Sequence, residues 1–265
     1  MPFAPVVRIA RYQSPQGVAW GRLDGEDLIR LDGPPWAGGR ERGGHDRLAE
    51  VRLLAPTVPT KIVCVGLNYR AHIAESQSVA PGAEPPKEPL IFLKPPSAAI
   101  GHDQPILYPA GVTRLDPEAE LAVVIARRAR RVSEAEAPAC IAGLTCFNDV
   151  SARNYQRGDG QWTRAKGFDT FAPMGPWIAA GLDPSNLTVE CRVNGERRQQ
   201  ARTSDLLFPV PHLVSFISRV MTLEPGDVIA TGTPAGIAPI QPGDVVEVEV
   251  EGVGVLRNRV EASEA

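Results

Sequence analysis

Apolar and polar residues alternate from Val6 to Leu31. Three runs, Val6–Tyr12, Gly17–Leu23 and Asp27–Leu31, are separated by Pro-Gln-Gly and Asp-Gly-Glu-Asp. A period of two between such turn signals predicts short antiparallel strands. Residues 33–49 lose the alternation and become rich in Gly, Pro and Arg, which predicts a linker or surface loop. This organisation predicts a small N-terminal β unit over residues 1–55 and a larger domain over 56–265. In the larger part, Lys61–Val65 and Leu90–Lys94 are short apolar runs of the buried-strand kind. Asn68–Ser76 has helical character, and 81–89 is a Pro-rich loop. Ser133 and Glu136 have capping-box spacing at the start of a short helix. Pro211–Thr222 is the clearest amphipathic helix, with Leu213, Phe216, Ile217, Val220 and Met221 expected on one face. Pro225-Gly226-Asp227 and Pro242-Gly243-Asp244 each lead into an apolar run, which predicts a β meander. The fold class expected is α+β and β-rich.

Composition narrows the range of functions. The chain has 265 residues, a formal net charge of −3, 26 Pro and 25 Gly. It has no basic block to meet nucleic acid. It also has no apolar stretch near the roughly 18–20 residues that span a bilayer. The segment Met1–Pro5 carries no basic leader, and Cys64, Cys140, Cys146 and Cys191 are scattered. Both features lead to the expectation of a cytoplasmic protein with reduced thiols.

The chemistry concentrates in a few segments. Glu118 and Glu120 precede the apolar run Leu121–Ile125, so a strand would turn both carboxylates to one face. A solvated strand end is the plain alternative. Asp149 ends a second apolar run, Leu144–Asp149, and a third carboxylate among apolar neighbours suits a hard cation: Mg²⁺ or Mn²⁺, with Ca²⁺ admitted. His72 and Glu75 share a face if their segment is helical, which would orient the imidazole as a base. Lys166 lies among aromatics and glycines, where it could hold an anionic oxygen. Thr231-Gly232-Thr233-Pro234 is a turn open to close approach by an anion. Spacing alone leaves each of the last three open to a structural reading. His45, His102 and His212 have no comparable company.

As an ordered set, these segments resemble the fumarylacetoacetate hydrolase family over about residues 57–260. The set comprises Cys64-Val65-Gly66-Leu67-Asn68-Tyr69 leading to His72 and Glu75; Phe92-Leu93-Lys94-Pro95 with Ser97; and Glu118-Ala119-Glu120. It continues with Asn148-Asp149-Val150-Ser151-Ala152-Arg153, Lys166 with Phe168-Asp169-Thr170-Phe171, and Thr231-Gly232-Thr233-Pro234. The resemblance implies a mixed β-sandwich roll binding Mg²⁺ or Mn²⁺ through Glu118, Glu120 and Asp149. It implies water activation by His72 with Glu75, and polarisation of an oxo-acid by Lys166. Arg153, Gln156 and Thr233 would contact the substrate, and the protein would be a homodimer. The N-terminal unit resembles the accessory segment of the bacterial homoprotocatechuate-pathway branch. Asn154, Gly167 and Pro117 depart from the family pattern, and Asn154 removes a charge next to the site.

The activity implied is hydrolysis of a carbon–carbon bond in a 2,4-dioxo acid, an acylpyruvate or fumarylacetoacetate-like compound, through an enolate whose charge the metal absorbs. Two alternatives stand beside it. One is isomerisation or decarboxylation of a 5-carboxymethyl-2-hydroxymuconate-type or oxaloacetate-type substrate. The other is a non-catalytic metal-binding dimer, against which His72, Glu75 and Lys166 weigh, since a structural site needs only carboxylates.

Overall fold

A computed structural model describes residues 6–77 and 85–263. Residues 81–84 of the Pro-rich loop expected over 81–89 lie outside the described residues, as does all of Met1–Pro5. In chain order the N-terminal strands are β1 (Val7–Ser14), β2 (Gly17–Asp24), β3 (Asp27–Leu31), β4 (Glu41–Arg47) and β5 (Arg52–Leu53). Then come β6 (Ile62–Gly66), α1 (Arg70–Gln77), β7 (Leu90–Lys94), β8 (Ala99–Ile100), β9 (Ile106–Tyr108), β10 (Leu115–Asp116), β11 (Ala119–Ile125) and β12 (Ile141–Asn148). After these are β13 (Ser151–Ala152), α2 (Arg153–Gly158), α3 (Thr163–Lys166), β14 (Ala172–Ala180), β15 (Thr188–Val193) and β16 (Glu196–Arg202). The chain closes with α4 (Val210–Val220), β17 (Val228–Ala230), β18 (Val245–Val250) and β19 (Gly254–Ala262).

Among the described residues these strands form a mixed twelve-stranded sheet, a five-stranded sheet and a two-stranded ladder. The large sheet runs β4-β3-β2-β1-β14-β12-β11-β17-β6-β7. The fold is therefore the strand-rich α+β class expected. The N-terminal hairpins extend the large sheet through β1 on β14, with Ile9 opposite Ile178.

The interior of β11 explains where the site must lie. Every residue from Ala119 to Ile125 is buried, as in a strand covered on both faces. Ala119, Leu121, Val123 and Ile125 join a cluster with Val189, Val248, Leu256 and Val260 of the five-stranded sheet. Ala122 belongs to a second cluster on the opposite face, with Ile62, Cys64, Phe147 and Ala230. Glu118 and Glu120 share the parity of Ala122, so they project from the face opposite the sheet-on-sheet core.

Four expectations are corrected. Residues 33–49 are not simply a loop: β4 pairs with β3, placing Asp46 opposite Leu28. Its sequence lacks an apolar period because β4 is an exposed edge strand. Asp46 nevertheless anchors it, accepting from the Tyr12 hydroxyl at 2.8 Å and from Arg30. The two Pro-Gly-Asp units do not form a meander, since β17 lies in the large sheet and β18 in the smaller one. Ser133 and Glu136 do bond reciprocally, but they lead into a single 3-10 turn. On α4, Val210, Leu213, Val214 and Ile217 are buried, whereas Val220 is 58% exposed and Met221 has left the helix. Four periodic positions, with Val214 in place of Val220, suffice to seat the helix.

This packing has a direct test in chemical denaturation. Leu121→Ala, in the main core, should lower stability by about 2–5 kcal/mol. Val220→Ala should stay within about 0.5 kcal/mol. Comparable losses would contradict the assignment of faces.

Candidate active site

Three main-chain features bring the carboxylates together. β11 and β12 are antiparallel with Ala119 opposite Asn148. The same register carries Glu118 opposite Asp149, and the Asp149 N–H donates to the Glu118 carbonyl at 2.9 Å. Glu120 follows on the same face. The turn after β17 then lies beside it, because β17 pairs with β11. Gly232 N–H donates to Glu120 Oε2 at 2.7 Å. Gly232 has φ of +105°, and a Cβ there would sit 2.7 Å from Asn68 Cβ. The tight turn and this close approach together require glycine.

Glu118, Glu120 and Asp149 are all buried, and each offers an oxygen within 4.8 Å of the others. Two of the three are paired. Lys166 Nζ donates to Glu118 Oε2 and Asp149 Oδ2, each at 2.7 Å. Lys94 Nζ, fully buried, donates to Asp149 Oδ1 at 2.6 Å. Arg153 donates to Glu118 Oε1 at 2.6 Å, Asp116 Oδ2 at 2.8 Å and Gln156 Oε1 at 2.7 Å.

The consequence is an uneven electrostatic field. Burial alone would push Glu118 up, but Lys166 and Arg153 hold it well below the usual carboxylate range. Burial pushes Glu120 up, and the charges of Asp149 and Glu118 push it further. Among the described residues Glu120 has one hydrogen bond and no ion pair. Burial lowers Lys94, and Asp149 only partly offsets it. For Lys166 burial is outweighed by Asp149 and Glu118, and its value rises. Three oxygen ligands, one of them a buried carboxylate without a counter-charge, fit a hard divalent cation. Zinc's nitrogen and sulfur ligands are absent from the cluster.

A cavity of about 430 Å³ opens onto these carboxylates. All nine residues singled out in the sequence line it: His72, Glu75, Glu118, Glu120, Asp149, Arg153, Gln156, Lys166 and Thr233. His72 Nδ1 lies 3.2 Å from Glu75 Oε2 on α1. Burial pushes Glu75 up, yet its bonds to His72 and to the Gly236 N–H hold it below its ordinary value. Thr233 Oγ1 donates to the Ala119 carbonyl at 3.0 Å and accepts from Gln199. Arg153 has a structural load beyond contact with a substrate, since its guanidinium ties three side chains together.

Sequence reasoning passed over Lys94, Asp116 and Gln199 as site residues. Lys94 had one signal, a lone lysine ending an apolar strand, a place where lysine is rarely buried unless paired. Asp116 and Gln199 had none. Gln199 comes from the five-stranded sheet, whose side chain reaches Ala119 N–H at 2.9 Å only through tertiary packing.

Residues 61–261 match the family described as fumarylacetoacetate (FAA) hydrolase C-terminal, and residues 7–56 match Rv2993c-like, N-terminal. The chain is 47% identical over 268 residues to Protein Rv2993c of Mycobacterium tuberculosis, covering 96% of this chain and 98% of that protein. It is 45% identical over 211 residues to a 4-hydroxyphenylacetate degradation bifunctional isomerase/decarboxylase of Salmonella dublin, covering 77% of this chain and 47% of that protein. Among solved structures, 2-hydroxyhepta-2,4-diene-1,7-dioate isomerase from Mycobacterium marinum matches with a TM-score of 0.90 and 44% identity, over 98% of this chain and all of that one. Maleylpyruvate hydrolase from Sphingobium sp. SYK-6, in complex with manganese(II) and pyruvate, matches with a TM-score of 0.79 and 30% identity, over 97% of this chain and all of that one. No helix among the described residues is long and apolar enough to cross a membrane.

The unequal carboxylates predict unequal variants. Glu118→Gln leaves Lys166 and Arg153 short of a counter-charge and should cost the metal-free protein about 3–5 kcal/mol. Glu120→Gln copies the protonated state that burial favours, so it should leave metal-free stability within about 0.5 kcal/mol while lowering Mn²⁺ affinity at least tenfold. Denaturation and calorimetry read both, and equal destabilisation would contradict the electrostatics described. The raised Glu120 value also has a sign. The folded chain holds a proton that the unfolded chain releases, so metal-free stability should fall as pH rises from the ordinary carboxylate value through the raised one. Saturating Mn²⁺ should abolish that slope and release a proton on binding. A heat of binding indifferent to the buffer's ionisation enthalpy would count against it.

Proposed function

Because the chain belongs to the fumarylacetoacetate hydrolase family, we propose that it is a divalent-metal-dependent enzyme that hydrolyses a carbon–carbon bond of a 2,4-dioxo acid. One observation carries this reading: the His72–Glu75 pair and the three carboxylates line the same cavity. Glu118, Glu120 and Asp149 would hold Mg²⁺ or Mn²⁺, and the manganese and pyruvate complex of the Sphingobium hydrolase supports that choice. The cation would supply a Lewis acid for the 1-carboxylate and 2-oxo oxygens of the substrate.

The remaining work falls to the chain's own groups. Glu75, kept anionic, favours the tautomer in which His72 turns Nδ1–H to it and leaves Nε2 to accept a proton. Nε2 takes that proton from water, and the water oxygen attacks the C4 carbonyl carbon. The C3–C4 bond then breaks. Its electron pair stays with the three-carbon fragment, which is protonated at C3 to pyruvate, and the other fragment leaves as a carboxylate. Lys166, buried and charged beside Glu118 and Asp149, would lend positive charge to the developing oxyanion. Gln156 gives its carbonyl to Arg153 and keeps its amide N–H groups for the substrate. Thr233 lines the same cavity and would hold a substrate carboxylate.

The bifunctional isomerase/decarboxylase and the dioate isomerase favour a second reading. In it the same site moves a proton along a conjugated substrate, or releases CO₂, with no attacking water.

NMR of products from acylpyruvates, oxaloacetate and hydroxymuconates distinguishes the readings, since hydrolysis, CO₂ loss and double-bond migration give different spectra. Exhaustive chelation should abolish turnover. His72→Ala should slow acylpyruvate hydrolysis by about 10²–10⁴-fold and largely spare oxaloacetate decarboxylation. Equal loss of both would reject water activation by His72.

A further inference from the structure

α2 leads from the buried carboxylate cluster to the mouth of the cavity. Arg153 is buried and fully engaged, Gln156 is half-buried, and Arg157 is exposed. All three line the cavity. Positions i, i+3 and i+4 share a helix face, and four residues advance about 6 Å along the axis. Arg157 therefore stands about one turn outward from the group that braces Glu118.

Neighbouring arginines are committed elsewhere. Arg114, also on the cavity wall, forks onto Asp116. Arg164 pairs with Asp159 at 2.7 Å and stacks on Tyr155. Among the described residues Arg157 makes no hydrogen bond or ion pair. The lining holds four carboxylates, Glu75, Glu118, Glu120 and Asp149, against four cations, Arg114, Arg153, Arg157 and Lys166. Just behind the lining Asp116 and Lys94 add one charge of each sign, so with Glu120 ionised on a divalent cation the set would carry an excess of two positive charges. One carboxylate at the cation answers only half of that excess.

We propose that Arg157 is a specificity-determining residue that binds a second carboxylate, at the far end of the substrate, so that this site prefers dicarboxylic dioxo acids. The inference rests on the reading of the site as a dioxo-acid enzyme and deepens it. A planar guanidinium meets a carboxylate through two parallel N–H donors. Phe92, Trp162 and Ile237 on the cavity wall would cover the apolar carbons between the two ends.

The test compares 2,4-dioxoheptanedioate with its monoacid analogue 2,4-dioxoheptanoate on the Mn²⁺-loaded protein. The wild type should favour the diacid by roughly tenfold in kcat/KM, and the preference should shrink with ionic strength. Arg157→Met should bring the ratio near one, and Arg157→Lys should keep part of it. A ratio that Arg157→Met leaves unchanged, or a wild type without preference, overturns the proposal. If neither compound is turned over, the hydrolytic reading fails, and calorimetry with the same two compounds decides the role of Arg157. Tighter binding of the diacid, lost in Arg157→Met, supports it, and equal affinities overturn it.

Discussion

Three buried carboxylates held within 4.8 Å of one another could not persist as uncompensated charges, and much of the surrounding architecture answers that constraint. Lys94 enters from β7, Lys166 from the end of α3 and Arg153 from the start of α2. Each comes from a different element, so the cluster ties the edge of the large sheet to the two short helices that wall the cavity. Compensation is incomplete at Glu120, where a single backbone N–H is the partner. The incompleteness makes the site chemically useful. A fully paired cluster would be a structural ion network, whereas one carboxylate left without a counter-charge is a standing demand for a cation.

The same constraint shapes the segments that carry no charge. The glycine turn after β17 must come close enough for Gly232 to reach Glu120, and Asn68 locks that approach by donating to the Thr231 carbonyl at 2.8 Å. Asn68 also immediately precedes the segment that carries His72 and Glu75. The base pair and the carboxylate cluster are thus set by one short stretch of backbone. The N-terminal hairpins join the large sheet at β14, and among the described residues they add sheet and none of the cavity lining.

The family relationship and the site chemistry agree on an enzyme of the fumarylacetoacetate hydrolase family, whose relatives include isomerases, a decarboxylase and a hydrolase. Such diversity has a physical basis in sites of this kind. A cation, a base and nearby ammonium groups all favour negative charge on an oxo-acid, and small differences in water access or tail recognition then direct the outcome. Arg157, exposed on the lining of the cavity, is a position that can change without disturbing the cluster.

Much of the fold, and which residues gather in the candidate site, can be read from the sequence. Alternation exposed β1 to β3, apolar runs exposed β6, β7, β11 and β12, and parity alone turned Glu118 and Glu120 to one face. These are local properties, set by a period of two along the chain. Partners could not be read in the same way. That Lys94 neutralises Asp149, that Gln199 crosses from the other sheet to Ala119, and that β17 and β18 part into different sheets all depend on contacts between segments far apart in sequence. The edge strand β4 escaped notice for a related reason: an exposed strand needs no apolar period, and only its ladder to β3 reveals it. The sequence by itself determined which groups would be charged and which way their strands would turn them. Only the tertiary structure decided which charges cancel, and therefore that Glu120 is the one left over.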